Sequence, residues 1–255
     1  MNSNTRTELS EIGELGLIER LKAFLPSKSE NIIKSIGDDA AVIKNSDDSV
    51  QLISTDLLME GVHFDLAYSP LRHLGYKAIA VNVSDIAAMF GTPSHIVVGL
   101  ALSNRFSVEA IEELYAGMKL ACDAYSIDLV GGDTTSSRSG LGISVTVVGT
   151  AQQAEVVYRS GAQVNDLICV TGDLGAAFMG LQVLEREKQV YLANPEMQPE
   201  LLGKDYIVER QLRPEARIDV VKSLKSLGLK PTSMIDISDG LASELMHICK
   251  ESNVG

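Results

Sequence analysis

The sequence has few cysteines and few basic residues, and each shortage excludes classes of protein. Its three cysteines, Cys122, Cys169 and Cys249, lie far apart and form neither a C-x-x-C pair nor a zinc-binding spacing. A disulfide framework is therefore not expected, and a reducing cytoplasm fits best. The 22 lysines and arginines are outnumbered by 34 aspartates and glutamates, which argues against binding to the phosphate backbone of a nucleic acid.

Segments that direct a chain to a membrane are also missing. The N-terminus carries glutamates where a signal peptide has a basic region followed by an apolar one. The longest uncharged run, residues 86–104, has Gly91 and Pro93 in its middle, where a spanning helix should be continuous. We therefore expect no signal peptide and no membrane partner.

Several common catalytic motifs are absent. Gly203 and Lys204 are followed by Asp205, so the sequence has no P-loop. It also has no G-x-G-x-x-G, G-x-S-x-G or H-E-x-x-H motif, and the H-R-D and D-F-G segments of protein kinases are missing. These absences remove the simplest dinucleotide, hydrolase and zinc-protease interpretations. They leave a metal-dependent phosphate enzyme of another type.

The composition and the hydrophobic periodicity indicate a folded α+β chain. The 255 residues are 45% apolar and 22% charged, as in ordinary globular proteins, and allow one large or two small domains. We predict a first domain over residues 1–150, with a mixed sheet covered by helices on one side, and a partial α/β second domain over residues 151–255. Helices are predicted at 12–25, 76–91, 107–121 and 174–188, after Pro214 and from Asp239, with strands at 50–55, 95–102, 127–130, 141–150, 167–170 and 234–237.

Aspartate recurs beside glycine, serine or threonine in five segments. These are residues 37–41, 54–56, 84–88, 131–135 and 236–240. Small neighbours let a ligand approach the backbone, and carboxylates are the hard oxygen ligands that Mg²⁺ requires. Each segment alone is explained by helix capping or turn formation. A role shared by all five would bring like charges together, and it would therefore imply several bound cations.

These segments, in this order, resemble the thiamine-monophosphate kinase family. The matching strings are G-D-D-A-A-V at 37–42, S-T-D at 54–56, E-G-V-H-F at 60–64, Y-K-A-I-A-V-N-V-S-D-I-A-A-M at 76–89, G-G-D-T-T at 131–135, R-S-G-A at 159–162 and D-I-S-D-G-L at 236–241. Strings such as G-G-D-T also occur across the wider aminoimidazole-ribonucleotide-synthetase-like superfamily. The E-G-V-H-F and S-D-I-A-A-M strings point more narrowly to the kinase.

The resemblance implies an enzyme that transfers a phosphoryl group from ATP to thiamine monophosphate, with the help of several Mg²⁺ ions, in a homodimer. It implies that Asp133 and Asp239 lie at the catalytic centre and that His63 lies on the thiamine monophosphate side. The implied metal ligands are Asp39, Ser54, Thr55, Asp56, Asp85, Asp133, Asp236 and Asp239. The implied nucleotide contacts are Gly132, Asp133, Arg159 and Ser238, with Tyr115 carried over from a less sharply defined segment.

Two alternative functions, and a plainer interpretation of two residues, stay open at this point. Another ATP-using enzyme of the superfamily, similar to selenophosphate synthetase or to a hydrogenase maturation enzyme, would share most of the aspartates. A non-catalytic module that binds divalent metal ions would use them structurally. By composition alone, His63 is a half-buried histidine and Arg159 is a solvated turn residue. The resemblance also implies thiamine-enclosing residues beyond the position of Gly255, so we expect the second domain to be incomplete.

Overall fold

The computed structural model describes residues 6–46 and 48–255, with the exception of the Ser46 side chain. The helices are α1 (Leu9–Phe24), α2 (Leu71–Ala88), α3 (Val108–Tyr125), α4 (Ala176–Ala193), α5 (Asp205–Leu212), α6 (Ile218–Ser226) and α7 (Leu241–Ser252), with a 3₁₀ turn at Gln153–Glu155. The strands are β1 (Ile32–Lys34), β2 (Ala41–Ser46), β3 (Ser49–Met59), β4 (Thr92–Leu102), β5 (Asp128–Ser136) and β6 (Gly142–Gln152). The predicted α+β class is confirmed.

The six strands form one mixed sheet in the order β1-β2-β3-β6-β4-β5. Only β4 and β5 are parallel, and α3 forms the crossover between them, as a parallel pair requires. The remaining neighbours are antiparallel. The mixed sheet predicted for the first part of the chain is therefore confirmed.

Side chains alternate between two different environments along the strands. Val50 and Leu52 of β3 and Val145 and Val147 of β6 are fully buried on the face that packs against α2 and α3. We call this the helix face. Their neighbours point to the opposite side, which we call the open face, where Leu57 is 58% exposed and Val97 is 41% exposed. The helices thus cover one side of the sheet, as predicted.

Two glycines allow α2 and α3 to pack with their backbones in contact. A Cβ atom on Gly75 would lie 2.0 Å from the carbonyl oxygen of Leu114, and one on Gly117 would lie 1.8 Å from that of Arg72. No side chain larger than hydrogen fits at either crossing point. The close contact fixes the position of α2 on the sheet, and with it the position of the aspartate near the end of α2.

After β6, the described residues form helices and connecting segments but no strand. The strands predicted at residues 167–170 and 234–237 are therefore wrong, because neither segment pairs with a strand among the described residues. The short helix α5 and the first two strands were not predicted. No described helix is both long and apolar enough to cross a bilayer.

Candidate active site

Three aspartates from distant parts of the chain meet beside the sheet. Asp39 lies in the turn between β1 and β2, Asp85 lies near the C-terminal end of α2, and Asp236 lies between α6 and α7. Each offers one carboxylate oxygen, and these three oxygens lie within 4.8 Å of one another. We call these three residues the acidic cluster. All three were predicted as metal ligands from the sequence.

The strand β3 contributes two further predicted ligands, Ser54 and Asp56, from the same side of the strand as Val50 and Leu52. The Ser54 hydroxyl donates to Asp85 Oδ2 at 2.5 Å. The Asp56 backbone N–H donates to Asn82 Oδ1 at 3.2 Å, and Asn82 Nδ2 donates to the Ala78 carbonyl at 2.9 Å. Asn82 is fully buried and was not identified from the sequence. It ties the strand that carries Ser54 and Asp56 to the helix that carries Asp85.

Arg159 provides the positive charge that contacts the acidic cluster directly. Its Nε donates to Asp39 Oδ1 at 3.0 Å, and its terminal Nη2 donates to the same oxygen. Its backbone N–H donates to Asp38 Oδ1 at 3.2 Å, and Asp38 also pairs with Lys34 at 3.2 Å. The other oxygen of Asp39, Oδ2, is buried and has no hydrogen-bond partner. Asp38 and Lys34 were not identified as site residues from the sequence.

The pKa values of these carboxyl groups reflect burial and mutual repulsion. Burial, with the charges of Asp236 and Asp56, raises the pKa of Asp85 to about 9. Burial raises the pKa of Asp39 to about 7, although Arg159 opposes the shift. Burial also raises the pKa of Asp56 and of Asp236. A carboxylate oxygen without a partner, next to two other crowded carboxyl groups, fits a divalent cation, because a cation would satisfy the oxygen and remove the repulsion.

Two predicted ligands lie on the open face, away from the acidic cluster. Thr55 donates to the Val145 carbonyl at 3.1 Å and accepts from Thr146 at 3.0 Å. Asp133 pairs in register with Gly99, and Gly99 pairs with Ser144, so all three lie on the open face. Asp133 is exposed on the edge strand β5, which lies three strands from β3 in the sheet, or about 14 Å away. Within one chain the structure does not bring Asp133 to the acidic cluster.

Gly132, the predicted neighbour of Asp133 in the nucleotide site, lies against the adjacent strand. A Cβ atom there would lie 1.8 Å from the Val98 carbonyl oxygen. Only glycine therefore fits at this position of β5 without separating the two strands. The absence of a side chain leaves backbone close to any ligand that reaches this edge of the sheet.

Ser238 and Asp239 form the exposed turn that leads into α7. Their backbone N–H groups donate to Glu244 Oε1 at 3.2 and 2.8 Å, respectively. Glu244 is only 4% exposed and was not identified from the sequence. Glu244 lies in the first turn of α7 and accepts from N–H groups that precede the N-cap residue Gly240, so the capping-box spacing of Ser or Thr followed by Glu three residues later could not have identified it.

His63 lies in the tight turn that follows β3. Its Nδ1 accepts a hydrogen bond from the Met59 backbone N–H at 2.9 Å, so the proton of a neutral ring resides on Nε2. The ring borders an enclosed cavity of about 10 Å³, which Lys77 also lines. The cavity has room for about one water molecule, so a substrate would have to approach His63 from outside this turn.

Tyr115 lies on α3 at a separate groove. The groove has a volume of about 400 Å³, and Leu102, Phe106 and Ile111 form much of its apolar lining. Tyr115 packs partly against the core. The groove has the size and the apolar character of a small-molecule site.

The chain is similar to proteins of known family. Residues 37–151 match the family described as "AIR synthase related protein, N-terminal domain". The thiamine-monophosphate kinase of Bacillus subtilis is 40% identical over 219 residues, which are 86% of this chain and 65% of the relative. That of Aquifex aeolicus is 39% identical over 246 residues, which are 96% of this chain and 73% of the relative. The chain thus spans about two thirds to three quarters of these relatives.

A solved structure gives the same assignment. The structure described as "AaThiL complexed with AMPPCP and TMP" has a TM-score of 0.83 and 36% identity to this chain, and the match covers 98% of this chain and 74% of that one. Sequence and structure agree over nearly all of the chain. The protein therefore belongs to the thiamine-monophosphate kinase family.

Proposed function

We propose that the protein transfers the γ-phosphoryl group of ATP to the phosphate of thiamine monophosphate, which yields thiamine diphosphate. The observation that carries this proposal is the acidic cluster, in a chain whose solved relative was complexed with AMPPCP and TMP. The first is an analogue of ATP and the second is the acceptor. Family membership supports the reaction, and the acidic cluster supplies carboxylates of the kind that a Mg²⁺-dependent phosphoryl transfer requires.

The chemical problem in this reaction is charge. An acceptor phosphate and the ATP phosphates are both anions, so their approach is opposed by repulsion, and positioning with charge neutralisation supplies most of the catalysis. The acceptor oxygen needs no general base, because a phosphate monoester has a second pKa of about 6 and is largely ionised at neutral pH. This agrees with a site built from carboxylates and an arginine rather than from a histidine and a carboxylate.

We further propose that the acidic cluster holds Mg²⁺. Asp39, Asp85 and Asp236 would be ligands, and Ser54 and Asp56 lie on the adjoining strand to complete the site. Bound Mg²⁺ would supply positive charge that screens the phosphates and aligns donor with acceptor. Thr55, Asp133 and Asp239 remain proposed ligands for further ions that bind together with the nucleotide.

The nucleotide and acceptor contacts are proposals of the same kind. Arg159 would reach phosphate from the edge of the acidic cluster, and the exposed turn that carries Ser238 follows Asp236 directly along the chain. Gly132 and Asp133 expose backbone and carboxylate on the edge strand, Tyr115 borders an apolar groove, and His63 would face thiamine monophosphate. Asp133 and Asp239 are proposed to lie closest to the transferred group.

The open face supports a homodimer. The open face is uncovered and combines polar groups with exposed apolar side chains, Leu57 and Val97 among them, and a second copy would bury those side chains. Pairing through this face would also give Thr55 and Asp133 protein neighbours that one chain lacks. We propose in addition a cytoplasmic location, no nucleic-acid or membrane partner, and a domain division near residue 150.

Coupled measurement of ADP release tests the reaction. We expect ADP release that requires both Mg²⁺ and thiamine monophosphate. We expect no release when thiamine monophosphate is replaced by the substrate of a sister enzyme, such as a selenium compound or a carbamoyl compound. Release with another acceptor but not with thiamine monophosphate would favour a sister enzyme. Metal binding by calorimetry without any binding of an ATP analogue would favour a non-catalytic metal-binding module.

A further inference from the structure

The backbone of Arg159 is firmly anchored, whereas its side chain lies at the mouth of the site. The Arg159 carbonyl accepts from the hydroxyls of Ser233 at 2.7 Å and Ser252 at 3.2 Å, and its N–H donates to Asp38. The side chain remains 24% exposed, whereas that of Asp39 is 1% exposed. The guanidinium can therefore change partner by side-chain rotation without any movement of the chain around it.

The guanidinium places two donors on a single oxygen of Asp39. Both Nε and Nη2 donate to Oδ1, while Oδ2 of the same carboxylate is buried without a partner. Arginine frequently places one donor on each oxygen of a carboxylate, a bidentate geometry that this contact does not adopt. The observed contact neutralises Asp39 but leaves half of its bonding capacity unused.

Arg159 and a divalent cation therefore compete for the same carboxylate. Asp39 is one of three residues whose oxygens approach within 4.8 Å of one another. A cation bound among these oxygens would be coordinated by the same Asp39 carboxylate that now pairs with Arg159. A guanidinium is always charged at neutral pH, and two cations on one carboxylate repel each other. We propose that the cation displaces Arg159 from Asp39, and that the released guanidinium then binds the phosphates of the nucleotide.

This exchange makes metal binding and nucleotide binding mutually reinforcing. Without a cation, Arg159 is engaged by Asp39 and is withheld from phosphate, and the uncompensated carboxylates repel an anion. With a cation bound, Arg159 is free, and the negative charge that repels the nucleotide is largely neutralised. The second half of the inference rests on the proposed function, whereas the displacement from Asp39 does not.

The arginine side-chain signal in an ¹H–¹⁵N NMR spectrum tests the displacement directly. The Nε–H signal of Arg159 is assigned by its loss in the variant Arg159→Lys. We expect it to be sharp and protected in the metal-free protein, to shift and broaden on saturation with Mg²⁺ alone, and to sharpen at a new position when an ATP analogue is added. A signal unchanged by saturating Mg²⁺ would overturn the proposal.

Metal affinity provides a second test with a matched control. Mn²⁺ serves as the probe in calorimetric titrations at pH 8 without nucleotide. We expect Arg159→Met to bind Mn²⁺ about tenfold more tightly, because a neighbouring guanidinium lowers the affinity of a carboxylate for a cation by at least that factor. The same variant should bind the ATP analogue more weakly in the presence of Mn²⁺.

The control variant is Lys34→Met. It removes an equal charge that pairs with Asp38 and Glu251 rather than with Asp39, so its Mn²⁺ affinity should change much less. Equal gains in the two variants would show a general charge effect and would overturn the exchange. If Arg159→Met does not fold, the NMR titration of the unsubstituted protein still decides. If Mg²⁺ displaces the Arg159 signal but the protein has no kinase activity, the proposed function is refuted and the displacement from Asp39 stands.

Discussion

The two faces of the sheet use neighbouring residues for different purposes. On the helix face, Ser54 donates to a buried aspartate and lies among carboxyl groups whose pKa values are raised by burial. On the open face, Thr55 lies one residue further along the same strand and bonds only to β6. The helix face therefore carries a complete, preassembled cluster. The open face carries exposed groups whose proposed partners lie outside the single chain.

This difference shows how one strand can serve two sites. Because side chains alternate along a strand, three consecutive residues with oxygen ligands cannot all reach one metal site within a single chain. Ser54 and Asp56 share the helix face, and Thr55 is directed to the other. Consecutive potential ligands in the sequence thus indicate that a site lies near this strand. The alternation of side chains then decides which of these ligands lie on each face of the sheet.

The largest expected effect comes from breaking the packing behind the helix face. Gly117→Ala should lower the free energy of unfolding by about 3 kcal/mol, because a Cβ atom would lie 1.8 Å from the Arg72 carbonyl. Alanine is intrinsically about 1 kcal/mol more favourable than glycine within a helix, and the steric clash should outweigh that gain. Urea denaturation measures it. The control is Gly131→Ala on β5, where a Cβ meets nothing within 4 Å, and equal losses would contradict the close helix contact.

A charge on the open face tests whether this surface is a dimer interface. Leu57→Lys should weaken the dimer by at least about 2 kcal/mol, because it places an ammonium group in the proposed apolar contact. Protomer folding should change little, since Leu57 is already 58% exposed. Sedimentation velocity distinguishes the species. Leu202→Lys is the control at a 95% exposed leucine, and a dimer that tolerates Leu57→Lys would place the interface elsewhere.

Replacing the buried carboxyl group of Asp85 by an amide should stabilise the metal-free protein at high pH, because an amide does not titrate, whereas the same change on the open face should have little effect. The folded pKa values of Asp85, about 9, and Asp39, about 7, exceed that of an unfolded aspartate, so the folded state binds more protons. Without metal, the free energy of unfolding should therefore fall as the pH rises from about 4 to 9. At pH 8, Asp85→Asn should be more stable than the parent by about 1–3 kcal/mol.

The matched variant on the open face is Asp133→Asn. Asp133 is exposed, so its stability should stay within about 0.5 kcal/mol of the parent at every pH. Thermal unfolding across the pH range, with and without Mg²⁺, gives both comparisons, and Mg²⁺ should reverse the loss at high pH in the parent. A parent protein whose metal-free stability rises from pH 5 to 8 would refute the crowding of the acidic cluster.

The smallest expected effect separates the two adjacent hydroxyl groups. Ser54→Ala removes the 2.5 Å hydrogen bond that favours ionised Asp85, so the pKa of Asp85 should rise further and Mg²⁺ affinity should fall by about threefold to tenfold. Thr55→Val should leave the affinity of the acidic cluster for Mg²⁺ unchanged. Calorimetric titration with Mg²⁺ alone compares the two. A larger effect from Thr55→Val would place the first metal ion on the open face.

Strong local patterns predicted much of the fold. The long periodic helices α2 and α3 and the strands β4 and β6 were predicted near their observed positions, because each repeats its period several times. Helix α5 has only eight residues, which is too short for a clear period, and it is fixed by its contact with α4, where a Cβ on Gly180 would lie 2.0 Å from the Ile207 carbonyl. That contact is tertiary and leaves no local pattern.

The candidate site was only partly predictable for a related reason. Asp39, Asp85 and Asp236 stand in recognisable segments, so their residue types could be found. Their convergence depends on β1, β2 and the segment before α7, which the local sequence does not define. The Arg159 contact joins residues 120 positions apart, and no spacing rule predicts it. The separation of Thr55 from Ser54, by contrast, follows from strand alternation and was accessible from the sequence.

The topology of the sheet also sets the order in which the protein folds. Thr55 and Thr146 pair across 91 residues of chain, whereas α2 and α3 lie close together in sequence and can associate early. Pairing of distant segments requires closure of a long loop and is slow. The acidic cluster includes Asp236, which is 151 residues from Asp85 along the chain, so we expect it to form after the rate-limiting step. A divalent cation should therefore slow unfolding while leaving the rate of folding nearly unchanged.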